Sequence, residues 1–372
     1  LTKTIKNRLK RLRKSLSEQD LDAVLVLVGE NRRYLSGFTG EDSQFDESAG
    51  ALLISDARLI LATDSRYELQ AETEAPLYEI TCHKEGLAKA LPEILKELNI
   101  GRLGFEGIRM SCFQYNKIVE KITSDNLSVE LVETENIVED LRIIKEEAEI
   151  EATKKALSIA ENAFRKVAGI LTPGMTEKEA AWAMEKEMRE AGADALSFPT
   201  IVASGPNSAL PHAIPGDRKI NEGEPILFDW GAKLNGYCSD MSRTLVIGNP
   251  DETFNRVYKT VLDAQHLAIA AIKPGASSKA VDEISRNHID SMGFEGKFGH
   301  GLGHGTGLAI HEAPRLSPFK DTRLDAGMII TVEPGIYLPG WGGIRIENQV
   351  VVRDNEAEIL NSLNTTYSIA EL

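Results

Sequence analysis

Gly299 to Glu312 reads GHGLGHGTGLAIHE and holds three of the chain's seven histidines among five glycines at alternate positions. Glycine lets a backbone pass close to a site and adopt unusual dihedrals. His300, His304 and His311 are therefore expected to face a cavity rather than pack into a core. His304 and His311 are seven residues apart, too far for one helical turn. A loop or strand carrying one ligand and one acid/base group fits that spacing better than a helix with paired ligands.

Four acids complete the pattern. In PILFDWGAKLNGYCSDMSRTLVIG (225–248), Asp229 follows the apolar run ILF, and Asn235-Gly236 is a strong hairpin turn. The hairpin would set Asp240 roughly opposite Asp229 on the neighbouring strand. In MIITVEPGIYLPGWGGIRIENQVVV (328–352), Glu333 ends an apolar strand just before Pro-Gly. Glu347 lies inside another predicted strand, with Arg345 two residues earlier on the same face. Aspartate is depleted from strands, and carboxylates in such places cost free energy unless a cation holds them. Asp229, Asp240, Glu333, Glu347 and the His304 imidazole would balance two divalent cations.

An oxygen-rich set with one histidine suits Mn²⁺, Co²⁺, Fe²⁺ or Zn²⁺, and it is not a thiolate site. A water between two such ions loses a proton near neutral pH, so the implied chemistry is metal-assisted hydrolysis. His311 and His212 (in ASGPNSALPHAIP) stay outside the metal count and would stabilise an oxyanion. Glu333 would both hold metal and accept the water's proton. His83, His266 and His288 read as structural, and Cys238 as a small buried side chain. GLGHGTG lacks the GxGxxG spacing of a dinucleotide loop, and no GxSxG or HExxH occurs.

The elements that must carry these residues fall into two halves. Over 1–135, strand patterns at 22–29, 51–63, RLGFEG and SVELVE alternate with helical patterns at 87–100 and 111–122, which predicts an α/β domain with a mixed sheet. No metal cluster or phosphate loop is legible there, and Asp64, Arg66 and Tyr67 after a strand read as structural. The charged stretch 135–150 is the expected helical linker. Over 136–372 the chain echoes itself. LTPGMTEKEA (171–180) and IKPGASSKAV (272–281) lie 101 residues apart, as do the later Gly192 and Gly293. Each Pro-Gly ends one helix, and each Thr or Ser caps the next; Thr176 with Glu179 makes a capping box. Two helix–helix–strand units with a cleft between them are expected, giving an α+β fold class for the whole chain.

At 372 residues there is length for two domains with sizeable cores. The net charge of -15 argues against nucleic acid, which needs a basic stripe. The basic amphipathic LTKTIKNRLKRLRKSL has no apolar h-region and is expected to be the solvated face of a first helix, not a secretory signal. No apolar run approaches the roughly 20 residues of a membrane span, so no membrane partner is expected. Three unclustered cysteines argue against a disulfide framework and for a reducing cytoplasm.

FDWGAKLNGYCSDMSRT, GHGLGHGTGLAIHE, TVEPGIY and GGIRIEN resemble the signature blocks of the Xaa-Pro peptidases, the aminopeptidase P and prolidase branch of the pita-bread metallopeptidases. YLSGFTG and LATDSRYELQA resemble blocks of the creatinase-type N-terminal domain. The resemblance implies a creatinase-like domain over 1–135 and a pita-bread catalytic domain over 136–372. It implies a dinuclear centre, most often Mn²⁺ or Co²⁺, on Asp229, Asp240, His304, Glu333 and Glu347. It further implies catalytic or substrate-facing roles for His212, His300, His311 and Arg345, with cleavage before proline in Xaa-Pro peptides by a homodimer. Members of the branch often close the site with the neighbouring subunit's N-terminal domain, which limits substrate length.

Two positions depart from the pattern. Trp230 stands where Leu or Phe is usual and would narrow the pocket. Asn348 stands where Asp is usual, which removes a charge near Glu347. The competing readings are metal-free creatinase-like C–N hydrolysis and a non-enzymatic binding protein on the same fold; both are disfavoured by the intact ligand set. Methionine aminopeptidase shares the ligands but usually lacks such a first domain.

Overall fold

The structure, a computed structural model, describes residues 2–42, 44 and 47–372. It divides into two units, Leu1–Leu141 and Arg142–Leu372. In the first, helix α1 (Thr2–Glu18) buries Ile5, Leu9, Leu12 and Leu16 at helical spacing and leaves its lysines exposed. The basic N-terminal face is thus the solvated side of a packed helix.

Among the described residues six strands follow, β1 (Ala23–Val26), β2 (Ala51–Ser55), β3 (Leu59–Thr63), β4 (Glu79–Cys82), β5 (Arg102–Glu106) and β6 (Glu130–Thr134). Helices α2 (Gly29–Ser36), α3 (Glu68–Glu74), α4 (Leu87–Glu97) and α5 (Cys112–Ser124) connect them. The sheet order is β4-β3-β2-β1-β5-β6. The β1–β2 and β2–β3 pairs are antiparallel and the rest parallel, which is the expected mixed sheet. Asp64 and Arg66, just past β3, pair with each other at 2.9 Å, and Arg66 also lies 3.6 Å from Glu47.

The charged stretch 135–150 is not one helix. It breaks between α6 (Glu139–Arg142) and α7 (Glu147–Ile170). α7 and α8 (Glu177–Glu190), then α9 (Glu252–Ala271) and α10 (Ser278–Ile289), are the two helix pairs that the internal echo predicts. Their punctuation is the same twice. Gly174 and Gly275 have φ of 92° and 86°, and Gly192 and Gly293 have 96° and 85°. These are left-handed values that glycine alone takes without strain. Thr176 accepts the Glu179 N–H and Ser277 the Ala280 N–H, so each second helix begins at the predicted cap.

The first pair leads into β7 (Ala195–Leu196), β8 (Ile201–Ser204), β9 (Ile226–Trp230), β10 (Ala232–Leu234), β11 (Tyr237–Cys238) and β12 (Met241–Leu245). The second leads into β13 (Gly303–Gly305), β14 (Glu312–Leu316), β15 (Ile329–Val332), β16 (Gly335–Leu338), β17 (Gly342–Arg345), β18 (Asn348–Val352) and β19 (Ala357–Ile359). The sheets β12-β9-β8 and β14-β13-β15-β18-β19 carry the site. Each half has its own apolar core, one around Phe164, Phe228 and Met184, the other around Phe254, Val261 and Ile330.

Trp230 belongs to the first core and does not narrow the cleft. It is fully buried, stacks on Phe164 with ring centroids 4.4 Å apart, and donates its indole N–H to the Ala160 carbonyl at 2.9 Å. The larger ring is absorbed where α7 crosses the sheet, because alternation along β9 turns Trp230 away from the face that Asp229 occupies.

Candidate metal centre

Asn235-Gly236 turns β10 into β11 as expected, with φ of 50° and 83°. The strand then breaks at Ser239-Asp240 before β12, and the residue opposite Asp229 is Ser242. Asp240 is therefore not the cross-strand partner of Asp229. It reaches the same place from the break. Glu347 likewise lies between β17 and β18 rather than inside a strand, and Glu333 follows β15, where its N–H bonds the Leu302 carbonyl at 2.8 Å.

Carboxylate oxygens of Asp229, Asp240 and Glu347 lie within 4.8 Å of one another. His304 Nε2 stands 3.5 Å from both Asp240 Oδ2 and Glu333 Oε1. The tautomer follows from the other nitrogen: Nδ1 is 3.0 Å from the Gly305 carbonyl, an acceptor only, so it carries the proton. Burial, then the neighbouring His311, pushes His304 down to about 3, so the ring is neutral. Its Nε2 lone pair thus points at two carboxylates, an arrangement that a cation between them reconciles. Asp229 Oδ1 is buried with no hydrogen-bond partner. Those donors fit divalent ions bound by oxygen and one imidazole.

The carboxyls register the crowding. Burial, then Glu347, Asp229 and Glu333, holds Asp240 well above the usual carboxylate range. Burial, then Glu333 and Asp229, does the same to Glu347. Burial pushes Glu333 up to about 7, against the opposing pull of Arg345. A group whose folded pKa exceeds its unfolded value binds more protons when folded, so it stabilises at low pH and loses that contribution as pH rises. The metal-stripped protein should therefore lose stability between pH 4.5 and about 7, the window set by Glu333. One pKa unit is about 1.4 kcal/mol, so the melting temperature should fall by at least ~3 °C over that window. Mn²⁺ should remove the slope. A flat melting profile for the stripped protein would dissolve the argument.

Around the acids sits a second layer that the sequence reading only partly anticipated. Arg345 is buried and uses its whole fork: Nη2 to Asp229 Oδ2 at 2.6 Å, Nε to Ser242 Oγ at 2.9 Å, and Nη1 to Tyr337 Oη at 2.8 Å. The Ser242 hydroxyl donates in turn to Glu347 at 2.8 Å. Arg345 thus orients two of the acids at once. Tyr337 Oη also meets His300 Nε2 at 2.9 Å, and His300 Nδ1 meets the Gly301 carbonyl at 2.8 Å. His300 lines the cleft, but both its nitrogens are engaged by the protein. Burial and then Arg345 lower it to about 4.

Behind Glu347, Arg243 is fully buried, and all its acceptors are neutral oxygens. They are the carbonyls of Ser242, Glu347, Leu363 and Asn364, and the Asn348 side-chain Oδ1 at 2.9 Å. Asn348 therefore bonds Arg243 where an aspartate would have made an ion pair. Burial holds Arg243 down to about 10.

The acids open into a cleft of about 640 Å³, lined by Phe198, Thr200, His212, Ile310, His311 and Arg315 among others, a size that suits a small ligand. His311 is edge-on to His304 with ring centroids 4.4 Å apart. Burial and then Arg315 hold it below the ordinary imidazole range, so it is neutral at pH 7. Its loop is pinned by the next residue. Glu312 accepts the Ala309 N–H at 3.0 Å and pairs with buried Arg142 and with Lys145, the latter at 2.9 Å. Burial alone would raise Glu312, but Lys145 and Arg142 bring it below its usual value. Glu312→Ala removes the carboxylate that buried Arg142 and Lys145 share, so unfolding stability should drop by about 3–5 kcal/mol, read from denaturant midpoints. An unchanged midpoint would remove this pinning role.

His266 and His288 lie on α9 and α10, and Cys238 is buried, as expected. Tyr337, Ser242 and Arg315 were missed; each sits in an ordinary strand pattern, and only register brings it to the acids.

Residues 151–354 match the model of metallopeptidase family M24, and residues 8–144 match that of the creatinase/prolidase N-terminal domain. An Xaa-Pro dipeptidase of Pyrococcus furiosus is 37% identical over 358 residues, 96% of this chain and 98% of the relative. A solved Xaa-Pro dipeptidase from Bacillus anthracis has a TM-score of 0.91 at 38% identity, covering 97% of this chain and 99% of that one. A solved X-Pro aminopeptidase from Thermotoga maritima MSB8 has a TM-score of 0.88 at 36% identity, with the same 97% and 99% coverage. The chain belongs to metallopeptidase family M24, with a creatinase/prolidase N-terminal domain ahead of a pita-bread metallopeptidase domain.

Proposed function

We propose that the protein hydrolyses the peptide bond preceding proline in Xaa-Pro dipeptides and N-terminal Xaa-Pro peptides. Two divalent cations, Mn²⁺ or Co²⁺ first and Zn²⁺ or Fe²⁺ as further candidates, would be held by Asp229, Asp240, His304, Glu333 and Glu347. The observation that carries this reading is the neutral His304 Nε2 set 3.5 Å from two acids that face it without another cation between. The relatives named for Xaa-Pro substrates support the choice of bond. The complete donor set disfavours metal-free C–N hydrolysis.

When bound, the cations supply Lewis acidity and a water of near-neutral pKa. The chain's own residues do the rest. Glu333 takes the proton of the attacking water and returns it to the proline nitrogen, which must leave protonated as an amine. His311 donates an N–H to the carbonyl oxygen of the residue before proline as negative charge develops there. His212, on the facing loop, contacts the same peptide group. Arg345 is a positioning residue: besides Asp229 it holds the Pro211 carbonyl at 3.3 Å, next to His212. His300, through Tyr337, fixes the Arg345 fork at the substrate end of the cleft.

We extend the reading to a homodimer in the cytoplasm. Free Cys82, Cys112 and Cys238 suit a reducing compartment, and light scattering tests the dimer. Among the described residues no helix is long and apolar enough to cross a membrane. The decisive assay is hydrolysis of Ala-Pro, Ala-Pro-Ala and a longer Xaa-Pro peptide. EDTA treatment should remove essentially all activity, and Mn²⁺ or Co²⁺ should restore it. No metal-dependent cleavage of any of the three would overturn the proposal.

A further inference from the structure

His212 lies in the connection between β8 and β9 and lines the cleft. Among the described residues none hydrogen-bonds its imidazole, so its place is set by the loop that carries it. Both ends of that loop meet one side chain. Glu177, the first residue of α8, is fully buried. Its Oε1 accepts the Ser204 N–H at 2.8 Å and the Ser204 hydroxyl at 3.0 Å. Its Oε2 accepts the Gly216 N–H at 3.0 Å. The Asn207 amide lies across both oxygens at 3.1 and 3.2 Å. The start, the first turn and the far end of the loop thus converge on one carboxylate. The helix backbone returns the contact: the Glu177 N–H donates to the Arg218 carbonyl and the Lys178 N–H to that of Gly216, both at 3.1 Å.

The other half of the duplication shows how little of this the fold requires. Ser278 is likewise the first residue of α10. Its hydroxyl accepts the Thr322 N–H at 2.9 Å, and its own N–H donates to the Thr322 carbonyl at 2.9 Å. A neutral hydroxyl is enough to seat a loop on that helix N-terminus. Burying a carboxylate instead costs free energy that its hydrogen bonds must offset. The first half carries that cost, and its carboxylate reaches the second loop end as well. The loop so gripped is the one that bears His212.

The middle of the loop is held from the opposite side. The Gly343 N–H donates to Ser208 Oγ at 2.8 Å, and Arg345 Nη1 to the Pro211 carbonyl at 3.3 Å. Ala213 is buried with Ile201, Ala203 and Leu227. Fixed ends and a fixed middle leave the exposed His212 side chain a narrow range of distances to a bound peptide.

We propose that Glu177 is a positioning residue for the peptidase reaction: by clamping both ends of the 204–216 loop it holds His212 against the scissile peptide group. The inference rests on the Xaa-Pro reaction and the His212 contact proposed above. Glu177→Gln isolates the clamp. The amide keeps the shape but offers one acceptor oxygen, so its NH₂ must face either the Ser204 N–H or the Gly216 N–H, and one loop end is released.

The test measures kcat and KM for Ala-Pro with metal-loaded wild type, E177Q, H212A and the double variant, with enzyme in excess so that residual turnover is read. E177Q should lower kcat on the order of 10- to 100-fold, the scale for a misplacement near 1 Å, with KM changed far less and metal content unchanged. Amide hydrogen exchange over 204–216 should quicken. In the H212A background the same substitution should change kcat by less than about two-fold, because residues that act through one group are not additive. Where E177Q does not fold, N207A removes only the half-buried amide from the same carboxylate and should show the same pattern at smaller size. If the substitution lowers kcat equally in both backgrounds, or shifts only the melting temperature, Glu177 is structural and the inference fails. It fails too if H212A turns over as fast as wild type. In each of these cases the Xaa-Pro reaction stands. If wild type does not cleave Ala-Pro, that reaction and the inference fall together.

Discussion

Glu333→Ala should abolish turnover of Ala-Pro and leave the protein short of metal. The side chain leaves β15 just before Pro334 and stands 3.5 Å from His304 Nε2, with Thr331 Oγ1 donating to it at 3.2 Å. It is asked to do two things at once, to hold a cation and to carry a proton. Loss of a general base alone costs about 10²–10⁴ in rate, so a fall of at least ~10³-fold in kcat is expected. The metal-to-protein ratio from elemental analysis should fall below that of wild type. Glu333→Gln separates the two tasks, since the amide keeps shape and one acceptor oxygen but cannot take the proton. It should retain more metal than the alanine variant and remain inactive. Full activity in either variant, with metal bound, would remove Glu333 from both roles.

His311→Ala should do the opposite with metal: retain it and still lose turnover. Among the described residues no carboxylate pairs with His311 as Asp240 and Glu333 pair with His304; it lies edge-on to His304 and opens on the cleft. Held neutral by burial and by Arg315, it has one N–H to give at pH 7. Removal of a single donor to a developing oxyanion typically costs about 10²–10³ in kcat. The loss should sit in kcat rather than KM, because the donor is worth more to the charged transition state than to the neutral carbonyl. His311→Gln, which can still donate an N–H, should recover part of it. Wild-type kcat in the alanine variant would take His311 out of the reaction.

The two experiments read differently because the acids and histidines are held differently. Glu333, Asp240 and Glu347 come from strand ends and breaks, where the chain leaves a sheet and a side chain can turn toward a cavity. His311 sits on a loop fixed by Glu312, Lys145 and Arg142. A fault in that pinning should resemble a weak His311 variant in kinetics while also lowering stability, which His311→Ala should not do.

Much of this was legible in the residue order. Pro-Gly, the capping Thr and Ser, and the later glycine recur at one offset, and each acts within its own helix end. The physics of a cap or a left-handed glycine needs only four or five neighbours in sequence. The five candidate ligands were legible for a related reason. A carboxylate at the end of an apolar run carries a desolvation cost that is visible without a structure.

What the sequence could not supply is register and reach. The hairpin signal at Asn235-Gly236 was right, yet the strand break before Met241 put Ser242, not Asp240, across from Asp229. Glu347 fell in a break that its apolar neighbours concealed. Arg345 bonds Asp229 across 116 residues, and Arg315 shares a face with His304 only because β13 and β14 pair as they do. Trp230 could have lined the cleft or the core, and alternation along β9, with α7 packed above it, decided for the core. By itself the sequence determined the helix punctuation, the duplicated halves and which side chains carry donor atoms suited to a metal, because those properties are local. Tertiary structure alone decided which acids meet and which arginine they consume, because pairing between distant strands is set by packing the whole sheet.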